Sequence, residues 1–189
     1  MTTPVSLPVA GANVYPGADA TPEDVLALAE EYRRAAVALL PHGRKGEPIS
    51  RAPARLCAIH AIELYLNAFL LRAGETPTGI RGLRHDLRAR TDACLAGGLS
   101  LRRRTVAHLH RLTEGREYLV ARYGPELSTS LSQINRMMAT LEEVARRVNP
   151  PREPPDARTR RPPPPGCPPP PAQSPAPAQP PILTHGRAP

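Results

Sequence analysis

The chain has 189 residues, a formal net charge of +8 and a high proline content, 26 residues in all. This length allows one ordinary domain with appendages, because a single core organises roughly 100 to 200 residues. The three cysteines share no metal-ligand spacing, so the sequence gives no basis for a disulfide framework or a zinc site, and we expect no metal and no cofactor.

The positive charge has two interpretations. Clustered arginines attract phosphate groups and release their counterions, which would favour a nucleic-acid surface. However, Lys45 is the only lysine, and Ala, Pro, Gly and Arg dominate the composition together, as expected of a GC-rich genome. Coding bias with solvated charged faces therefore stands beside a basic binding surface as an explanation.

Residues 1–20 are rich in Pro, Gly, Ala and Thr and show no periodicity, which predicts a flexible N-terminal arm. They lack the basic start and the continuous apolar run of a signal peptide. No later segment approaches the roughly 18 apolar residues expected of a membrane span. We therefore expect a cytoplasmic location and no membrane association.

Thr21, Pro22 and Asp24 form the pattern of a helix start, with threonine as the N-cap and proline at the first helical position. The helix is predicted to continue to about Leu40, because the proline and glycine that follow end it. Apolar side chains at spacings of three and four predict its buried face: Val25, Leu28, Tyr32, Ala35 and Leu39.

The second helix is predicted to begin after a Ser50 cap and to end at Gly74, a residue type that commonly stops helices. From Leu56 to Leu71 it is apolar almost all round, which predicts a central helix covered by neighbours on several sides. Its polar exceptions recur at spacings of three and four and form one line along the helix: His60, Glu63 and Asn67.

The rest of the domain is predicted as further helices. TPTGIRGLRHDL is a loop leading to a third helix over about 85–95, a fourth begins at Ser100, and REYLVARYGP is a short helical or irregular stretch. A final helix over about 129–148 has the clearest apolar stripe: Leu131, Ile134, Met137, Leu141, Val144 and Val148. No segment alternates with period two, so residues 21–148 are predicted to be all-α, with four to five helices.

Residues 149–189 are dominated by proline, which removes backbone donors and fixes φ. We expect this tail to be disordered and to sample extended polyproline II. It is either a solvated tail or a proline-rich ligand for an aromatic-lined groove. On one reading the bundle is only a scaffold and the tail performs the function.

Four strings in this order resemble HEPN domains: AIHAIELYLNAFLLRAG, LRHDLRAR, GLSL and REYLVARYGP. The resemblance covers residues 50–148. It rests on a long apolar helix with a central glutamate, Glu63, on the triplet His85, Asp86 and Leu87, and on a later segment led by Arg116. It implies a small antiparallel helical bundle that pairs as a homodimer.

Catalytic HEPN members are metal-independent ribonucleases with an arginine followed, after four to six residues, by a histidine. The arginine holds phosphate and the imidazole moves a proton. Here the arginine is Arg116, and Ala121 stands where the histidine is expected. The resemblance therefore implies a noncatalytic interaction module that binds a protein, a nucleotide or RNA.

A displaced pair is the alternative. Arg103 with His108, and Arg104 with His110, fit the bare spacing and would make the chain a toxin-like endoribonuclease. An arginine-rich helix also matches so loose a pattern by accident, which would leave these residues as surface-exposed or capping side chains.

Glu63 is predicted to be buried and must then be paired, because an isolated buried charge is very costly. Arg116 and Arg122 are its candidate partners. A Glu-Arg pair could simply fix helix register, or the polar residues could form a ligand groove. The candidate groove residues are His60, Glu63, Asn67, Arg116, Arg122 and Tyr123.

Overall fold

The computed structural model describes residues 15–150, and within them the chain is an all-α bundle with no strand. Seven α-helices follow one another: α1 (Pro22–Leu39), α2 (Ala52–Arg72), α3 (Pro77–Gly82), α4 (Leu87–Ala96), α5 (Arg103–Glu114), α6 (Glu117–Tyr123) and α7 (Ile134–Val148). Short 3-10 turns occupy Leu40–His42, Pro48–Arg51 and Pro125–Ser130. The predicted fold class is confirmed.

Helix α1 begins at the predicted cap. The Asp24 N–H donates to Thr21 Oγ1 at 3.1 Å, and the Thr21 N–H donates back to Asp24 Oδ2 at 3.0 Å, which completes a capping box. The predicted buried face is correct in part: Val25 and Tyr32 pack against the core, whereas Leu28 is exposed. The buried positions of the helix are Leu26, Ala29 and Ala36. The small alanines allow a close approach to α2.

Helix α2 is the central helix, as predicted, and contacts α1, α4, α6 and α7. The contacts of Glu23 with Arg72 and of Tyr32 with His60 show that α1 runs antiparallel to it. Helix α7 packs on another side of α2, and its predicted stripe from Met137 to Val148 is buried.

The segment Pro48–Arg72 is long and apolar enough to cross a membrane by length and composition alone, with a mean hydropathy of 1.4. We had expected no segment of the chain to approach the apolar length of a membrane span. In the bundle, 67% of its most apolar window is buried against neighbouring helices, which is the environment of a core helix.

Three predicted boundaries are wrong. The Ser50 hydroxyl does not cap α2; it donates to the Glu47 carbonyl within a 3-10 turn. The predicted loop before the third helix contains α3, which Thr76 caps by accepting the Gly79 N–H. Leu131 precedes α7, which begins three residues later.

The two terminal predictions lie largely outside the described residues. Within the predicted arm, residues 15–20 form a turn in which the Ala18 N–H donates to the Tyr15 carbonyl, and the Arg81 guanidinium lies 4.4 Å from the Tyr15 ring centroid. Residues 1–14 are outside the described part. Helix α7 ends at Val148, and the predicted tail is outside it from residue 151 onward.

Candidate functional site

The carboxylate of Glu63 on α2 is buried and contacts two side chains, Arg90 and His85. Its Oε1 lies 3.4 Å from an Nη of Arg90, and its Oε2 lies 3.2 Å from Nδ1 of His85. The prediction that Arg116 or Arg122 pairs with Glu63 is therefore wrong. Helix α4 and the turn before it supply the partners, because they pack closer to the middle of α2.

Arg90 is the most deeply buried charged side chain of this group, at 2% exposure. Its Nε donates to Asn67 Oδ1 at 2.6 Å, and one Nη donates to the Arg84 carbonyl at 2.5 Å. Burial lowers the pKa of Arg90, and the Glu63 carboxylate opposes that effect. Two of the three polar residues in the predicted line on α2 thus hold one buried arginine.

His85 stands between this buried network and solvent. Its side chain is 42% exposed, and its ring centroid lies 4.9 Å from that of Tyr118 on α6. Because Nδ1 faces Glu63, the carboxylate fixes the orientation of the imidazole. The free edge of the ring is available to a molecule outside.

His85 borders two adjoining cavities. One, of about 370 Å³, is the surface that we name the His85 cleft; it is lined by Gly82, Leu83, Arg84, His85, Asp86, Ala89, Thr113, Arg116 and Tyr118. The other, of about 400 Å³, is bordered by Glu63, Asn67 and Arg81 among others. Arg116 therefore lies in the same cleft as His85, although it is not paired with Glu63.

Arg84 and Arg116 both have a left-handed backbone, with φ of 47° at each. Each stands two residues after a helix ends, Arg84 after α3 and Arg116 after α5, at the position where glycine is usually found. For an L-residue this conformation costs roughly 1–2 kcal/mol. Two arginines with an unfavourable backbone conformation therefore line the same cleft.

The remaining groove candidates lie farther along the surface. The His60 ring packs edge-on against Tyr32 at 4.3 Å, and its Nδ1 is buried without a hydrogen-bond partner in the described chain. Burial lowers the pKa of His60, with Glu63 opposing and Arg122 adding to the effect. Arg122 and Tyr123 border neither of these two cavities, and Tyr123 is 75% exposed.

The alternative Arg/His pairs do not form one site in the described chain. His108 is 1% exposed and faces α7, where its Nδ1 lies 2.8 Å from Thr140 Oγ1. His110 faces α4, where its Nε2 lies 2.9 Å from Asp92 Oδ1. Arg103 and Arg104 are both exposed.

Burial lowers the pKa of His108 to about 4, and the charges of Arg136, Arg111 and Arg55 add to the shift. At neutral pH the imidazole is therefore uncharged. The histidine of the first predicted pair is a buried neutral group, not a side chain presented to solvent beside Arg103.

Arg84, His85, Arg90 and Tyr118 belong to this region, although none of them is among the groove residues predicted from the sequence. The string LRHDLRAR contains three of them, and its Asp86 caps α4 by accepting the Ala89 N–H at 3.0 Å. Arg90 lies four residues after the Asp86 cap, so both are on the same side of α4. This spacing in the sequence could have indicated that they belong to one region. Within residues 15–150 no three metal-ligating side chains group together.

The fold and the site together define a helical bundle with a basic, partly aromatic cleft. No family model, no curated protein and no solved structure matches the chain. The resemblance to HEPN domains therefore rests on the sequence strings of residues 50–148.

Proposed function

We propose that the chain is a noncatalytic HEPN-like helical module that binds single-stranded RNA in the His85 cleft. The observation that carries this proposal is the pair Arg84 and Arg116, two arginines in a conformation that favours glycine, on the same concave surface. Backbone strain of this kind persists where surrounding structure enforces it and is concentrated at ligand sites.

The charges of the cleft favour a polyanion. Glu63 is balanced by Arg90, and Asp86 is engaged in capping α4. Neither Arg84 nor Arg116 has an ion-pair partner within the described residues. Two free guanidinium groups suit two phosphates, since arginine offers a planar fork of donors.

Tyr118 favours a single-stranded ligand over a duplex. Its ring is half-buried beside His85 at the edge of the cleft. Proteins that bind single strands combine a basic track along the backbone with aromatic rings on which bases stack. In the His85 cleft, arginines and an aromatic ring occur together in this way.

The binding is proposed to be noncatalytic because α6 carries Ala121 where an imidazole would be needed to move a proton, and a methyl group cannot do so. We also propose a homodimer in the cytoplasm. Two apolar side chains of α1, Leu28 and Val37, are 47% and 48% exposed and are available for pairing.

The proposal is tested by replacing each strained arginine with glycine. We expect Arg84→Gly and Arg116→Gly to weaken the binding of a fluorescently labelled single-stranded RNA while stability stays the same or rises, because glycine accepts a positive φ. A plot of the logarithm of the RNA binding constant against the logarithm of salt concentration has a negative slope. Each lost phosphate contact should make that slope shallower by about 0.7. Fluorescence anisotropy and urea denaturation measure the two effects.

The control variant is Arg147→Gln. Arg147 is an exposed residue of α7 and does not line the His85 cleft. Glutamine is used there because glycine inside a helix would itself lower stability. This variant should leave RNA affinity nearly unchanged. If the two glycine variants bind RNA as well as the unchanged protein does, or if no RNA binds at low salt, the proposal is wrong.

A second candidate function is metal-independent RNA cleavage with His85 as the proton-transfer group. The observation that favours it is the contact of the Glu63 carboxylate with His85 Nδ1 at 3.2 Å, beside a cleft that holds Arg116. A carboxylate that orients an imidazole is a common element of general acid-base sites. The same RNA, incubated with chelator and run on a denaturing gel, decides between binding and cleavage.

Cleavage that is lost in His85→Ala and Arg116→Gln would establish this second function. Cleavage lost only in His108→Gln or His110→Gln would instead point to the displaced pairs on α5. Intact RNA with all proteins agrees with the noncatalytic proposal.

A further inference from the structure

A separate polar cavity lies on the other side of α5, between that helix, the segment before α6 and the start of α7. It has a volume of about 600 Å³, and we name it the His108 cavity. His108, Arg111, Ser130, Ser132, Gln133 and Arg136 are among the side chains that line it. It shares no lining residue with the His85 cleft.

Two nitrogen atoms of this cavity are buried and have no hydrogen-bond partner in the described chain, His108 Nε2 and Arg136 Nε. Unsatisfied buried polar atoms are rare in native proteins, because each one costs roughly 1–3 kcal/mol. The two residues lie on helices that pack together, and both line the same cavity.

The contact with Thr140 allows the ring proton of His108 to reside on Nε2. Nδ1 lies 2.8 Å from Thr140 Oγ1, and the Thr140 hydroxyl has no other partner in the described residues. If the hydroxyl donates to Nδ1, its hydrogen is satisfied and the ring proton resides on Nε2. Nε2–H and the Arg136 Nε–H are then two buried donors that lack an acceptor.

The carboxylates around the cavity do not supply that acceptor. Glu117 is held by Arg55 at 2.6 Å and by the Ser132 N–H at 2.8 Å. Glu114 is paired with Arg88 at 2.9 Å. With both acids neutralised, Arg111 and Arg136 leave the cavity positively charged.

We propose that the His108 cavity binds the phosphate group of a small molecule, with His108 Nε2–H and Arg136 Nε–H as the buried donors. The ionised oxygens of a phosphate group accept hydrogen bonds and carry negative charge, so they match two donors and a positive field. The volume exceeds what a free phosphate needs and lies in the usual range for small-molecule sites. A nucleoside monophosphate and inorganic phosphate share this chemistry.

The test is a titration of the full-length chain, labelled with ¹⁵N, with inorganic phosphate and separately with adenosine monophosphate. The imidazole nitrogens of His108 report directly on the site. We expect the Nε2–H form before addition and a shift of the His108 signals on addition. Tighter binding of the nucleotide than of phosphate would identify the small molecule as the source of the phosphate group.

Variants separate this site from the His85 cleft. Arg136→Gln and His108→Leu should each weaken phosphate binding by at least about tenfold. The first removes a charged buried donor, and the second removes a neutral one. His108→Gln should bind within a few-fold of the unchanged protein, because its amide N–H reaches a similar point. Arg103→Gln, an exposed arginine on the same helix, is the matched control and should have no effect.

Three results would overturn the proposal: no binding at millimolar phosphate, binding that survives both Arg136→Gln and His108→Leu, or binding that is lost in Arg116→Gln. The last would move phosphate binding to the His85 cleft and support the RNA proposal alone. If His108→Leu fails to fold, as judged by circular dichroism, Arg136→Gln together with the His108 signals still decides the question.

Discussion

His108 carries a neutral imidazole among arginines, inside a packed interface between α5 and α7. Burial and the charges of Arg136, Arg111 and Arg55 disfavour its protonated form and lower its pKa to about 4. The unfolded chain has no such environment, so there the histidine keeps its ordinary pKa near 6.5. The two states of the protein therefore bind protons differently between these values.

This difference predicts an acid-sensitive stability. Above about pH 6.5 His108 is neutral in the folded and in the unfolded state, so its titration does not lower the free energy of unfolding. As the pH falls toward 4, the unfolded chain takes up the proton first, and the free energy of unfolding falls. At about pH 5 the free energy of unfolding should be roughly 2 kcal/mol lower than at about pH 7.5 from this group. Urea denaturation at the two pH values measures it.

His108→Gln should lose most of this pH dependence, because it keeps a polar side chain and removes the titration. His42→Gln is the matched control, since His42 is exposed at the end of α1, and it should retain the wild-type pH dependence. An unchanged pH profile in His108→Gln would contradict the assignment.

At the scale of elements, the start of α5 is stabilised by another helix. Arg102 is the N-cap of α5 and has no side-chain capping bond of its own. The buried carboxylate of Glu143 on α7 accepts the Arg102 N–H at 2.7 Å and the Thr105 hydroxyl at 2.8 Å. Helix α7 thus supplies the cap that the local sequence of α5 lacks.

We expect Glu143→Ala to lower the free energy of unfolding by about 1–3 kcal/mol, because it leaves a buried hydroxyl and a part-buried N–H without an acceptor. Glu142→Ala is the control next to it in sequence. Glu142 is exposed and pairs with Arg33 at 3.0 Å, so its loss should cost at most about 1 kcal/mol. Equal losses in the two variants, measured by urea denaturation, would show that the capping contact contributes nothing.

At the scale of the whole molecule, the core cluster found within residues 15–150 extends from Leu26 to Val148. Every side chain that carries the two proposed sites lies between these limits. The folding and binding of the bundle should therefore not depend on residues 151–189. This expectation separates the bundle from the alternative in which the tail performs the function.

Deletion of residues 151–189 should leave the thermal midpoint, the RNA affinity and the dimer unchanged, because the deletion keeps every core residue that the structure describes. Circular dichroism, anisotropy and size-exclusion chromatography with light scattering measure the three properties. A truncated chain that no longer captures RNA would assign the function to the tail, and a monomer in both forms would refute the proposed homodimer.

Some elements could be read from the residues because their causes are local. The Thr21 cap, the all-round apolar character of α2 and the stripe of α7 depend on neighbours within one or two turns of helix. The pattern identified Val25 and Tyr32 on α1 but not the buried Ala29 and Ala36, because alanines contribute little to an apolar pattern although they permit the closest packing. Helix α3 was missed because six residues give too short a period to recognise.

The sequence by itself determined that residues 21–148 form helices around a central apolar one, since hydrophobic periodicity is a local property of the chain. Only the tertiary structure decided which charges meet. Glu63 pairs with Arg90 and His85, while Arg84 and Arg116, 32 positions apart, come to one cleft. These pairings depend on how α4 and α6 dock against α2 and how α5 docks against α4, and side-chain spacing along one helix carries no information about that docking.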